Sequence, residues 1–410
     1  MSEFINNSEK RVEQLLAFSL GVMNGEDVRE LIEKYSSAVT HVTPHDMLKL
    51  EDRQMQMGIT PEAIKKDVEK VINVFYKNLK NYQWEKPKEG TFLYYLMLEN
   101  SAFTYRLNKV KKILKSYKGR ESIDFSKLKN ELLPHFKEFL AFEHHYVKKE
   151  NILFPYLEKT WENYRPLNVM WSLHDDIRAL LKKLLGMLED EKSRWKDFSK
   201  LLGKYYFMVF GMMQKEDLIV YPVAAETVDT NAWDEMHRQS FEYPFPFIDP
   251  PKKPEENSKQ SGTKAISEEL PENRGIRSET GFMTIEQALL IFNNLPVDIT
   301  FVDENDRVRF FNRAKERFFP RSPAIIGRSV QNCHPPESVH VVEEIVKTFR
   351  SGEKNQADFW IQMKGKFILI QYYAIRNEQD EYKGVLEVSQ DVTGIRNLEG
   401  EKRLLEWQKD

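Results

Sequence analysis

Four side chains in the middle of the chain are of the types that bind metal ions in helical proteins. They are two imidazoles and two carboxylates: His145, Glu150, His174 and Glu216. Histidine nitrogens and carboxylate oxygens that project inward from the helices of a bundle can hold a pair of divalent transition-metal ions, with the carboxylates bridging. The pattern predicts a candidate metal site at these residues, with Tyr94 or Asp175 completing the ligands.

The spacing of these residues within one helix is not ideal for a shared site. On a regular α-helix, a side chain four positions on lies about 40° round the axis, and one five positions on lies about 140° round. His145 therefore shares a face with Lys149, and Glu150 joins that face only if the helix is distorted. In the fourth helix the near pair is Met212 and Glu216, so a carboxylate is present without an imidazole partner.

A second group of candidate ligands lies in the last third of the chain: Cys333, His334 and His340. A thiolate or an imidazole at a pocket can ligate haem iron, which makes these three residues a candidate cofactor site. The alternative is that residues 332–336 form a rigid turn, with Pro335 and Pro336 ending one element before the next helix begins.

Four long helical segments carry the first group. Apolar spacing and breaks at Gly119 and Pro166 predict them at Thr91 to Tyr117, Phe125 to Lys159, Met170 to Asp190 and Trp195 to Thr227. The segments 144–155 and 212–222 nearly repeat one another, which aligns the second helix with the fourth. Four long helices with short connections predict a four-helix bundle. Pro134 predicts that the second helix is kinked or begins there.

The period of the apolar pattern changes after residue 282. A helix from Thr284 to Asn294 is followed by alternating runs that predict five strands, at Asp298 to Val302, Val308 to Phe311, Phe359 to Met363, Lys366 to Ile375 and Lys383 to Gln390. A further helix is predicted from Val339 to Phe349. Residues 250–281 contain no aromatic side chain and few apolar ones, which is typical of a flexible linker.

These elements predict a multidomain protein of α plus α+β class. The expected parts are an N-terminal helical domain (1–82), a four-helix bundle (83–248), a linker (249–281), a domain with a five-stranded antiparallel sheet (282–396) and a helical tail (397–410). Thr43 before Pro44 and Thr60 before Pro61 mark two helix starts in the N-terminal part.

The segments 149–158 and 171–178 resemble the hemerythrin-like (HHE cation-binding) domain of prokaryotic proteins that also have an N-terminal helical domain and a C-terminal PAS domain. The resemblance extends to residues 296–303, 330–340 and 390–393. It implies an iron-linked sensory or regulatory function, with oxygen, nitric oxide, redox state or the metal itself as the input. Sites of this family draw on about five histidines and two carboxylates, whereas the four long helices predicted for this bundle hold His135, His144, His145 and His174. Thr91, Tyr94, Ile72 and Phe75 stand where the related proteins carry further candidate ligands.

Composition narrows the function further. The 61 basic and 64 acidic residues nearly balance, and the basic residues between 106 and 120 are typical of a solvated helix face, so we expect no nucleic-acid partner and no membrane partner. Cys333 is the single cysteine, so no internal disulfide can form, which favours the cytoplasm. No phosphate-binding loop, nucleophile elbow or His-Glu-x-x-His motif occurs, so we expect a protein that is not an enzyme.

Three hypotheses follow from the residues and the resemblance. The first is a cytoplasmic sensor in which the metal site is degenerate and the PAS domain binds haem or another small ligand, or mediates dimerisation. The second is a non-haem iron protein that binds dioxygen or nitric oxide in the bundle. The third is a scaffold without metal or cofactor. In the first, an unknown protein partner receives the signal, and the predicted helix from Leu398 to Trp407 together with the PAS domain can pair two chains into a homodimer.

Overall fold

The computed structural model describes residues 2–117, 125–253, 275–315 and 317–401. The chain divides into two compact units, one built mainly from the residues up to 254 and the other mainly from those after it. Among the described residues, no helix is both long and apolar enough to cross a membrane.

Five helices make up the N-terminal part: α1 (Ser2–Met23), α2 (Val28–Lys34), α3 (Ser36–Thr40), α4 (Pro44–Gln56) and α5 (Pro61–Lys80). Helix α4 begins as the sequence predicts, with a reciprocal cap in which the Thr43 hydroxyl accepts from the Asp46 amide and the Asp46 carboxylate accepts from the Thr43 amide. Thr60 caps α5 in the same position relative to its proline.

The bundle follows with α6 (Phe92–Ser116), α7 (Phe125–Phe139), α8 (Glu143–Lys148), α9 (Phe154–Thr160), α10 (Pro166–Glu189), α11 (Trp195–Lys215), α12 (Tyr221–Thr227) and α13 (Thr230–Ser240). The second predicted helix is continuous in outline but irregular. It includes a 3₁₀ turn at Leu140–Phe142 and a π-helical turn at Lys149–Leu153, and the fourth has a matching π turn at Glu216–Val220. Pro134 lies within α7 and does not begin the helix.

The N-terminal helices and the bundle share a single hydrophobic core. Phe18 of α1 and Phe75 of α5 belong to the same buried cluster as Phe92 and Phe103 of α6. The boundary expected near residue 82 therefore separates two stretches of sequence but not two cores.

The second unit contains a five-stranded antiparallel sheet in the order β4-β3-β7-β6-β5. Its elements are α14 (Ile285–Asn294), β3 (Asp298–Asp303), β4 (Val308–Phe311), α15 (Pro336–Ser351), β5 (Gln356–Met363), β6 (Lys366–Arg376) and β7 (Tyr382–Asp391). Strand β3 pairs with both β4 and β7, and Phe301 lies opposite Leu386 of β7. The five strands and two helices predicted after residue 282 are all present, with ends shifted by at most a few residues.

Two expectations at the edges of this unit need correction. The end of the predicted linker forms a hairpin, β1 (Gly275–Ser278) with β2 (Gly281–Thr284), because backbone pairing can form there without a buried face. Residues 254–274 of the linker lie outside the described residues. The tail helix does not begin at Leu398, since residues 398–401 are described and are not helical, and residues 402–410 lie outside the described part.

Candidate functional site

The two π turns lie within the near-repeated segments 144–155 and 212–222 and have a common local cause. Pro155 and Pro222 lack an amide proton and would collide with the carbonyl four residues earlier in a regular helix. Those carbonyls belong to Asn151 and Leu218, which both lie inside the π turns. The wider π turn accommodates each proline and changes the angle between residues before and after it around the helix axis. This is the helix distortion that the spacing of His145 and Glu150 requires if Glu150 is to face inward.

His145 is fully buried and its ring is fixed by a carboxylate on the first bundle helix. Its Nδ1 lies 2.7 Å from Glu99 Oε2, and the Lys148 ammonium donates to the other oxygen of Glu99. Glu99, His145 and Lys148 all have no exposed surface. Because buried charges are stable only when paired, Lys148 provides the counter-charge for Glu99.

Glu216 is the carboxylate at the centre of the bundle. Its Oε2 accepts from Asn100 Nδ2 at 2.7 Å and from the Tyr221 hydroxyl at 3.1 Å, and its Oε1 accepts from the Lys149 ammonium. Burial by itself raises the pKa of Glu216, but the charge of Lys149 and the nearby His145 lower it to about 2. Glu216 and Lys149 are therefore an ion pair that is closed off from solvent.

His174 and Glu150 form a separate group. His174 Nδ1 lies 2.8 Å from Glu150 Oε1, and Arg178 Nη2 donates to both oxygens of Glu150 at 2.9 Å. Burial raises the pKa of Glu150 to about 7 despite the attraction of Arg178, and burial lowers the pKa of His174 well below its usual value. A neutral His174 thus donates a hydrogen bond from its Nδ1–H to Glu150. Arg178 also bonds to Glu143 and Asp175.

Both imidazoles are oriented as metal-ligating histidines usually are. A histidine that ligates a metal through one ring nitrogen donates a hydrogen bond from the N–H of the other to a carboxylate or carbonyl. His145 does so towards Glu99, and His174 towards Glu150. Within the described part of the chain, Nε2 of each ring has no hydrogen-bond partner, although His145 Nε2 lies 3.5 Å from Glu216 Oε2. The arrangement that holds such ligands is therefore present.

The side chains that could ligate a pair of metal ions do not lie around a common site in the described part of the chain. In the described ranges, no group of three or more histidine, cysteine, aspartate or glutamate side chains is placed to hold a metal ion. Glu150 contacts the Nδ1 side of His174, where it orients the ring, and Asp175 is bonded to Arg178. The Lys149 ammonium donates to Glu216 Oε1, and a divalent cation bound to Glu216 would repel this ammonium. The residues present do not fit an iron pair.

The positions where related proteins carry further ligands have structural roles here. Thr91 caps α6 by accepting from the Tyr94 amide, and the Tyr94 ring packs edge-on against Tyr95 at 5.4 Å. Ile72 and Phe75 are buried in the common core.

In the second unit, the candidate cofactor ligands are spread over two elements. Cys333 ends a 3₁₀ turn (Val330–Cys333), where its thiol contacts the Ser329 carbonyl at 3.5 Å and packs against a small cluster that includes Val302. Burial lowers the pKa of His334 to about 4. His340 is exposed on α15, so it points to solvent rather than towards the other two.

Comparison with protein families identifies one domain within each unit. Residues 91–224 match the family model for the hemerythrin HHE cation binding domain, and residues 289–393 match a PAS domain model. This chain joins an HHE domain to a PAS domain. The HHE match begins at Thr91 and ends within α12, so it contains both π turns and every contact of the buried charge network except those with the N-terminal helices.

Solved structures that resemble the chain cover only about a quarter to a third of it. The C-terminal domain of a Streptococcus mutans protein is 33% identical, with 31% of this chain and 98% of that chain covered and a TM-score of 0.30. A PAS domain from Colwellia psychrerythraea is 20% identical (27% and 97% covered, TM-score 0.22), and the PAS domain of Bordetella pertussis BvgS is 18% identical (26% and 85% covered, TM-score 0.23). No curated protein shows significant similarity. The domain assignment rests on the family models.

Several residues of the HHE domain network are absent from the sequence-based prediction. They are Glu99, Asn100, Lys148, Tyr221 and Arg178. Arg178 could have been found, because it lies one helical turn after His174 and follows Asp175 and Asp176 in the sequence. Lys148 carries no such signal, since a lysine is normally exposed and only the tertiary structure shows it buried.

Proposed function

We propose that the protein is a cytoplasmic sensory or regulatory protein in which lysine ammonium groups, instead of metal ions, neutralise the carboxylates at the centre of the HHE domain. The observation that supports this most directly is the fully buried ion pair between Lys149 and Glu216. In this proposal the protein binds ligands and partners and does not catalyse a reaction.

Charge balance supports the proposal. The three inward carboxylates, Glu99, Glu150 and Glu216, each have a cation from the same chain: Lys148, Arg178 and Lys149 respectively. A divalent ion would add two positive charges to a region that is already neutral and dry, where unpaired charge is costly. The internal cations therefore stabilise the bundle without metal.

A second function, binding of dioxygen or nitric oxide at a non-haem iron site, is favoured by one observation. The two buried Nε2 atoms of His145 and His174 are held in the orientation of ligands and have no hydrogen-bond partner in the described residues. That function requires the Lys149 ammonium to leave Glu216, so it predicts a metal-bound state with a different rotamer at Lys149.

Elemental analysis and an absorption spectrum of the full-length, untagged protein distinguish the two functions. We expect less than about one-tenth of an iron per chain after incubation with iron(II), because Lys149 opposes binding. About two irons per chain, with a charge-transfer band that His174→Ala abolishes, would overturn the proposal.

A matched pair of variants adds a positive arm to the same experiment. Lys149→Glu places a carboxylate beside Glu216 and is expected to gain about one bound zinc or iron(II) per chain, since two carboxylates and two imidazoles are then available. Lys149→Gln removes the cation without adding a ligand and is expected to bind far less.

For the PAS domain we propose ligand binding or dimerisation as its contribution. A haem absorption band that is lost in Cys333→Ala or His334→Ala would assign a haem to this domain; without such a band, the PAS domain acts as a dimerisation element or binds a colourless ligand. The protein partner that receives the signal would bind to either domain.

Dimerisation is supported by apolar side chains that the second unit leaves exposed. The hairpin and helix α14 expose Ile276, Phe282, Leu289, Leu290 and Ile291, and large exposed apolar patches commonly mark interaction surfaces. Light scattering is expected to give the mass of two chains at micromolar concentration, and Leu290→Glu is expected to shift it to one chain. A wild-type mass of one chain would contradict the dimer.

A further inference from the structure

A cavity of about 170 Å³ lies inside the HHE domain, beside the 3₁₀ turn that separates α7 from α8. Residues from all four helices of the bundle line it. Its walls are mostly aromatic, formed by Phe103, Phe139, Phe142, Tyr146 and Tyr205. The cavity is partly open towards solvent at Leu140 and Glu143, and a mostly apolar space of this size accommodates a molecule as large as benzene.

The aromatic walls are well ordered by contacts among themselves. Phe103 stacks on Phe142 with ring centroids 4.0 Å apart and meets Phe139 edge-on at 5.2 Å. Tyr146 stacks on His174 at 4.4 Å, which fixes the ring between the cavity and the buried charge network. The cavity is therefore preformed and need not be opened by side-chain rearrangement.

Two hydroxyl groups in the walls have no hydrogen-bond partner in the part of the chain that the structure describes. Tyr146 and Tyr205 are 4% and 1% exposed, and neither phenol hydroxyl makes a hydrogen bond to another described residue. Tyrosine hydroxyls are protonated at neutral pH, so each can donate one hydrogen bond and accept another. A buried hydroxyl usually has a hydrogen-bond partner, and a ligand atom can be that partner.

The charged side chains around the cavity favour a ligand without net charge. Arg178 lines it, but this guanidinium already binds the carboxylates of Glu143, Glu150 and Asp175. Glu143 also lines the cavity and is partly exposed. An anionic ligand would meet acidic side chains and no available cation, so a neutral molecule is favoured.

We propose that this cavity is a binding site for a small neutral aromatic molecule that carries one hydrogen-bonding oxygen, with the size and chemistry of phenol. The ring lies among the phenylalanines, and the oxygen bonds to the hydroxyls of Tyr146 and Tyr205. This inference goes beyond the proposed function, because it does not depend on the metal content of the HHE domain or on the PAS domain.

Titration of the full-length protein with 4-fluorophenol, followed by ¹⁹F NMR, tests the proposal. We expect one site per chain with a Kd on the order of 0.1–1 mM, the range reached by a ligand of so few atoms. Tyr146→Phe with Tyr205→Phe removes only the two hydroxyls and is expected to weaken binding by about tenfold. Tyr206→Phe is the matched control, because the Tyr206 hydroxyl bonds to the Leu107 carbonyl outside the cavity.

Two further measurements could overturn the inference. Leu181→Phe fills part of the cavity from α10 and is expected to abolish binding, with far-ultraviolet circular dichroism as the check on folding. Benzoate is expected to bind at least about tenfold more weakly than phenol, because its charge has no free partner. No saturable binding to the wild type, unchanged binding in the Tyr146→Phe and Tyr205→Phe double variant, or equal affinity for benzoate would show that the proposal is wrong.

Discussion

Lys149→Met is expected to destabilise the full-length protein by about 3–5 kcal/mol, since it leaves the buried charge of Glu216 without its cation. The two side chains have no exposed surface, and Lys149 is the only ammonium bonded to Glu216 among the described residues. Urea denaturation at neutral pH, monitored by circular dichroism at 222 nm, measures the loss directly.

The matched control is the double variant Lys149→Met with Glu216→Gln. Removing both charges together is expected to recover most of the lost stability, because Asn100 and Tyr221 can still bond to the uncharged amide. A double variant as unstable as Lys149→Met would show that Lys149 stabilises the bundle by packing and not by neutralising Glu216. It would then weaken the proposed exchange of metal for ammonium.

Lys215→Met is expected to destabilise the first unit by a similar amount, about 3–5 kcal/mol, because it removes the cation of a second buried pair. Lys215 Nζ lies 2.5 Å from Glu51 Oε2, and both residues are almost fully buried. This pair joins α4 of the N-terminal part to the end of α11 in the HHE domain. Its loss therefore tests whether these parts are one cooperative structure.

Hydrogen exchange with mass spectrometry at increasing denaturant separates the outcomes. Because α1–α12 share one core, peptides from α4 and from α11 are expected to lose protection together in the wild type and at a lower, common denaturant concentration in Lys215→Met. Lys204→Met, at an exposed position of α11, is the control and is expected to change stability by less than about 0.5 kcal/mol. Loss of protection in α4 alone would indicate an independent N-terminal domain.

Local sequence signals predicted the elements well because those signals act over a few residues. Threonine followed by proline fixed the starts of α4 and α5, and the alternation of apolar residues placed β3 to β7. The π turns were recognisable only in part. The proline at the start of α9 predicts an irregular helix, but whether the chain bends, breaks or widens depends on what the neighbouring helices allow.

The candidate site was predicted only as a list of residues. His145, Glu150, His174 and Glu216 do lie in the bundle interior, but in two groups: His145 beside Glu216, which is bonded to the Lys149 ammonium, and His174 bonded to Glu150. Sequence reasoning placed Lys149 on the same helix face as His145. It could not show that the ammonium forms an ion pair with Glu216, because that contact joins residues 67 positions apart.

The sequence by itself determined the order of the domains, the helices and strands, and which histidines are candidate ligands. Composition, the spacing of apolar residues and turn residues encode these features locally. The tertiary structure alone decided that the N-terminal helices and the bundle share one core, that each buried carboxylate pairs with a cation, and that a cavity lies beside α8. These features depend on which side chains from distant helices meet in a dry interior. There the energy of a charge is set by its neighbours and not by its own position in the chain.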